Sequence, residues 1–105
     1  MSRKKTLVAL EIRADGEPVV NLAFPNDLAS FQKFVGGTID CVYLPPNVIA
    51  GLEKMYDVKL GKRACIVIHD EGLLIDLPPN FWATLIAMQA GHELIVGDVL
   101  ICDVP

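Results

Sequence analysis

From Ala64 to Pro105 the sequence contains no lysine and no arginine, although six acids fall there; all nine basic residues come earlier, beside seven acids. The second part of the chain therefore has nothing to attract a polyanion. With a net charge of only -4, the whole is neither a nucleic-acid mimic nor a nucleic-acid binder by charge, and direct DNA contact is not expected. Histidine is scarce, with His69 and His92 alone. The cysteines are an odd number, Cys41, Cys65 and Cys102, each inside an apolar, strand-like run. That pattern is neither a disulfide framework nor a zinc set, and it reads as buried structural thiols. A metal needs three or four converging ligands, and the spacing of Asp70, Glu71 and Asp98 resembles no calcium loop. A phosphate loop is also missing, because Val35-Gly36-Gly37 follows a helical pattern rather than opening one. No cofactor or metal is expected. No apolar run approaches the roughly 18 residues of a membrane span. The start, MSRKKTLVALEIR, is broken by Glu11 and Arg13 with no small-residue cleavage site after it, so a cytoplasmic protein with no membrane partner is expected.

What the chain does have is apolar mass: 52% hydrophobic residues and a mean hydropathy of +0.43 over 105 residues. One small core normally needs less. A single domain that associates with copies of itself, most simply a dimer, follows as an expectation.

A near-repeat organises the sequence. The stretch from Val8 to Pro45 and the stretch from Cys65 to Pro105 each read as an apolar strand, an acid-Gly turn, a second strand, an Asn cap, an amphipathic run, Val-Gly and a final strand. Arg13 lies opposite His69, Gly16 opposite Gly72, Asn21 opposite Asp76 and Asn26 opposite Asn80. In the first copy Val8, Leu10 and Ile12 alternate with Leu7, Ala9, Glu11 and Arg13, and the strand returns after Ala14 to Glu17 with Val20 and Leu22 inward. Asn26 caps a helix whose apolar stripe is Leu28, Phe31, Phe34 and Val35, stopped by Gly36-Gly37. In the second copy Ile66 and Ile68 face inward, Leu73 to Leu77 forms the return strand with Leu73, Ile75 and Leu77 inward, and Asn80 caps a helix with Trp82, Leu85, Ile86 and Met88 or Gln89 flanking the core. Between them, Pro45-Pro46-Asn47 begins a helix with Val48, Ile49, Leu52, Met55 and Tyr56 as its apolar side, ending in a basic loop.

The expected architecture is α+β: two tandem ββαβ units in a pseudo-duplication, a mainly antiparallel sheet with helices on one face, and an extra helix between the repeats. The first unit covers 6–44, the connecting helix and basic loop 45–63, and the second unit 64–105. The other, partly apolar sheet face (Leu7, Ala9, Val19, Cys65, Val67 and Leu74) is expected to be buried against the other half or another protomer.

Lys59, Lys62 and Arg63 gather three cations within five positions, next to Tyr56 and before the strand that ends in His69, with Arg13 as the counterpart of His69 in the repeat. Basic groups beside an aromatic suit a phosphorylated small molecule or a nucleic-acid backbone. Two readings stay open: a ligand or partner site made of Lys59, Lys62, Arg63, Tyr56, His69 and Arg13, or a solvated connection. His69 also precedes Asp70 and Glu71, which makes a His–carboxylate pair conceivable; no catalytic residue is assigned, because no nucleophile accompanies it.

Several motifs in order, Val35-Gly36-Gly37 before the Ile39 to Leu44 strand, Asp70-Glu71-Gly72-Leu73, Leu77-Pro78-Pro79-Asn80 with Ala83-Thr84, and Ile95 to Leu100, carry a resemblance. Over nearly the whole chain it resembles the small phage and mobile-element proteins filed as domain of unknown function thirty-eight forty-six. Val48 to Lys62 is longer here than the short connection expected at that point. The resemblance implies no activity and no site residues. It implies a small accessory protein, in the host cytoplasm if phage-encoded. The first functional expectation is thus a non-enzymatic protein that binds a host or phage component stoichiometrically. The alternatives are an oligomeric sponge for a small anionic, nucleotide-like signal with an anti-defence role, and a small hydrolase using His69 with Asp70 or Glu71.

Overall fold

Alternation of apolar residues builds one five-stranded sheet in the computed structural model, which describes residues 5–103. The elements run β1 (Thr6–Ile12), β2 (Val19–Pro25), α1 (Leu28–Val35), β3 (Ile39–Tyr43), α2 (Pro46–Tyr56), β4 (Cys65–His69), α3 (Phe81–Met88) and β5 (Val99–Cys102). The sheet order is β2-β1-β5-β4-β3, and every pairing is antiparallel. The α+β class therefore stands.

The details depart from the expected duplication. Residues 70–76 form consecutive turns, with the Gly72 amide donating to His69 O, the Ile75 amide to Glu71 O and the Leu77 amide to Gly72 O. They make no return strand because β4 has no free edge to offer: β5 occupies one side and β3 the other. Leu94 to Val96 contributes a single bridge, Val96 to Pro79. The two copies also differ in strand order, since β3 lies three places from β1 while β5 lies next to β4.

Helices cover both faces, not one. On the first face α2 and α3 bury Val48, Ile49, Leu52, Ala83, Ile86 and Ala87 against Leu10, Ile12, Ile66, Val99 and Ile101. On the second, α1 lays Phe31 and Val35 over Ala9, Cys65, Val67, Leu100 and Cys102. The period-two alternation of β5, Val99 and Ile101 one way and Leu100 and Cys102 the other, feeds both cores. The face expected to be buried against the other half or another protomer is covered largely by α1, although Val19 and Leu74 remain exposed. Two cores absorb part of the high apolar content, while Phe81, Leu85, Met88 and Leu94 among others stay exposed.

Caps and turns fix the helices. Asp27, rather than Asn26, caps α1: its side chain accepts from the Ser30 amide at 2.7 Å, and that bond holds its carboxyl below the ordinary range. Gly36, at φ +90, closes α1 in the left-handed conformation that glycine adopts without strain. Pro46 opens α2 with no side-chain cap, where the missing N–H costs no bond. Leu22, Leu28, Leu73, Ile75, Leu85 and Met88, all expected to face a core, are exposed.

Candidate functional site

The basic loop is shaped by an acid. After α2 ends at Asp57 (φ +54), the chain folds back so that Glu53 Oε2 accepts the amides of Leu60 at 2.7 Å and Gly61 at 3.4 Å. Leu60 is buried and anchors the loop, which leaves Lys59, Lys62 and Arg63 exposed around it. Gly61 (φ +112) sits against the Asp103 side chain with no room for a side chain of its own. The result is an open depression of ≈ 570 Å³ lined by Pro46, Ile49, Glu53, Lys59, Gly61 and Lys62. Two of the expected cations and an apolar wall therefore share one surface. Glu53 weakens its positive potential, because its charge lies in the same wall even while its oxygen is bonded to the loop amides.

The other expected residues lie elsewhere. Arg63 and Tyr56 do not line the depression. Tyr56 packs against the first core, where burial, followed by the nearby Glu17 charge, pushes its phenol pKa up. His69 sits at the far end of β4 from Arg63, roughly 15 Å of strand away. Arg13 follows β1, its guanidinium 4.7 Å over the Phe34 ring and 3.5 Å from Asp98, whose other oxygen accepts the Ala14 amide at 2.9 Å. This exposed pair adds at most about 1 kcal/mol, and its role is to fasten the β1–β2 turn beside β5. The six expected residues thus form no single constellation. Lys59 and Lys62 converge, while Arg13, Tyr56 and His69 belong to other packing environments.

His69 is fixed by its neighbours. Its Nδ1 accepts the Glu71 amide at 3.0 Å, which leaves the proton of the neutral ring on Nε2. The Nε2 edge lies against the α-carbon of Gly37, where any β-carbon would collide with the ring. Gly37→Ala should therefore cost about 1–3 kcal/mol, the usual range for overpacking. Combining it with His69→Ala should recover most of that loss, as read from denaturant midpoints of the two single variants and the double. Additive losses would contradict the contact. Beside His69 is a second depression of ≈ 290 Å³, walled by Leu73, Leu74 and Leu94.

Sequence reading missed two features. Asn80 was legible as a cap but not as a fully buried hub: Nδ2 donates to Ile12 O at 2.9 Å and Gly97 O at 2.8 Å, while Oδ1 accepts the Ala83 amide at 3.0 Å. The exposed side of α3, made of Phe81, Leu85 and Met88, was also missed. Its signal was present, since α3 carries apolar residues at nearly every helical angle, and a helix on a protein surface normally shows a polar side.

Among the described residues no group of three or more His, Cys, Asp or Glu is placed to hold a metal ion, and no helix is long and apolar enough to cross a membrane. Comparison with curated proteins and with solved structures gives no match to this chain. A family model does match, over residues 6–105, and it covers every strand and helix described above. The chain belongs to the family described as Domain of unknown function (DUF3846).

Proposed function

We propose that the protein is a non-enzymatic accessory binding protein of the phage or mobile-element type. It acts stoichiometrically on a host or phage component and meets that component at the basic loop. The observation that carries this reading is the placement of Lys59 and Lys62 on one depression beside Pro46 and Ile49, in a chain that has no cation after Arg63. An acidic segment or group could set its charge against the two lysines and its apolar part against Ile49. Exposed cations contribute little singly, so the informative variant reverses Lys59, Lys62 and Arg63 to Glu together. Partner capture from cells, quantified against the parent protein, should fall at least tenfold in that variant and also fall with added salt. The circular dichroism spectrum should not change, because none of the three side chains is buried. Undiminished capture by the folded triple variant would remove the loop from the interface.

The size of the depression favours one second reading. At ≈ 570 Å³ it lies in the range of small-molecule sites, which suits sequestration of a small anion such as a nucleotide. Mass spectrometry of the denatured protein separates the two readings: a stoichiometric small anion released by the parent and absent from the triple variant identifies the sponge.

A further inference from the structure

We infer that the outer face of α3 is a self-association surface, and that a second copy of this chain covers it. Phe81, Leu85 and Met88 recur at helical spacing on the side of α3 opposite Ala83, Ile86 and Ala87, which face the core. Leu94 continues the patch, because Thr84 Oγ1 bonds both the amide and the carbonyl of Ile95 and the Asn80 amide bonds the same carbonyl. Leu94 in turn shares a depression with Leu73 and Leu74. These six residues are between 42% and 83% exposed. At roughly 150–200 Å² for a large apolar side chain, they offer on the order of 600 Å². One partner's share of a standard interface is about 800 Å², so the patch with a polar rim is large enough for a stable dimer.

Charge and spacing select a second copy over another partner. Leu77 to Gly91 contains no charged residue, so the α3 part of the surface carries no group to specify a charged partner, while Asp70, Glu71, Asp76 and Glu93 border the end made by Leu73, Leu74 and Leu94. Phe81 and Met88 lie four positions before and three after Leu85. Two antiparallel α3 helices related by a two-fold axis at Leu85 therefore set Phe81 of each copy against Met88 of the other. That is an isologous contact with a favourable sulfur–aromatic pairing. The dimer leaves the basic depression on another part of the molecule, and it neither requires nor excludes a ligand there.

Light scattering across micromolar concentrations should give the parent twice its 11.4 kDa mass, and Leu85→Glu should halve it with an unchanged circular dichroism spectrum. Leu85→Cys gives an independent readout. Mild oxidation should link two copies through the new thiol, seen as a doubled band on a non-reducing gel and absent from the parent, whose own thiols serve as the control. A parent that stays monomeric overturns the inference. So does a Leu85→Glu protein that folds and stays dimeric, or a dimeric Leu85→Cys protein that does not cross-link.

Discussion

Asn80→Asp should abolish folding at neutral pH, and Asn80→Ala should lower stability by about 3–5 kcal/mol, a large part of the 5–15 kcal/mol typical of a domain. The side chain is wholly buried and bonds three backbone groups: it donates to Ile12 O and Gly97 O and accepts from the Ala83 amide. It thus ties the end of β1, the turn before β5 and the first turn of α3 to one point. Alanine leaves two carbonyls and an amide without partners in a site closed to water, and each such loss costs about 1–3 kcal/mol. Aspartate is worse, because a carboxylate oxygen replaces the donor and faces two carbonyl oxygens. The group must either stay charged in an apolar interior or take up a proton that satisfies only one of them. Fluorescence of Trp82, two residues along, reports the unfolding. An Asn80→Ala midpoint within experimental error of the parent would show that the hub is not needed.

Phe31→Ala should release α1 from the sheet and cost about 3–5 kcal/mol, the range for removing a buried aromatic. Phe31 stacks on Phe24 with ring centroids 5.7 Å apart, and Phe34 meets the same Phe24 ring edge-on at 6.0 Å. α1 has eight residues, too few to persist without its docking contacts. Beneath it lie Cys65 and Cys102, both wholly buried. The Cys102 thiol pKa is pushed up to about 12, first by burial and then by Cys41 and Asp103, so at neutral pH it is almost entirely the unreactive thiol. In the parent a thiol reagent should label half-buried Cys41 first, and denaturation should be needed for the other two. In Phe31→Ala the labelling of Cys65 and Cys102 should accelerate at least tenfold under native conditions, with Phe31→Leu in between. If the two thiols stay protected in Phe31→Ala, the second core does not depend on α1.

Local chemistry made much of the fold readable. The alternation in Thr6 to Arg13, the Ala14 to Glu17 turn and the Gly36-Gly37 stop produced β1, the β1–β2 hairpin and the end of α1 close to where the pattern put them. The three buried-type cysteines fell where their apolar neighbours placed them, two fully buried and one half-buried. The capping Asn80 was equally plain. The basic cluster was legible as charge, yet its depression was not, because the wall comes from Pro46 and Ile49 on α2 and the loop's shape from Glu53. Neither acts through sequence spacing to Lys59 and Lys62.

The sequence by itself determined the α+β class, most of the strands and helices, the Asn80 cap, the Gly36 stop, the family and the one-sided distribution of cations, because each depends on residues close together or on composition. Only the tertiary structure decided which strands are neighbours. Insertion of β5 between β1 and β4 filled the edge that Leu73 to Leu77 would have needed, so a sequence suited to a strand became turns. The same insertion put β4 and β5 in the middle of the sheet, where apolar residues on both faces must be covered, and α1 therefore went to one side while α2 and α3 went to the other. Strand order follows from the free energy of burying both faces at once, a sum over distant pairs that no local pattern contains.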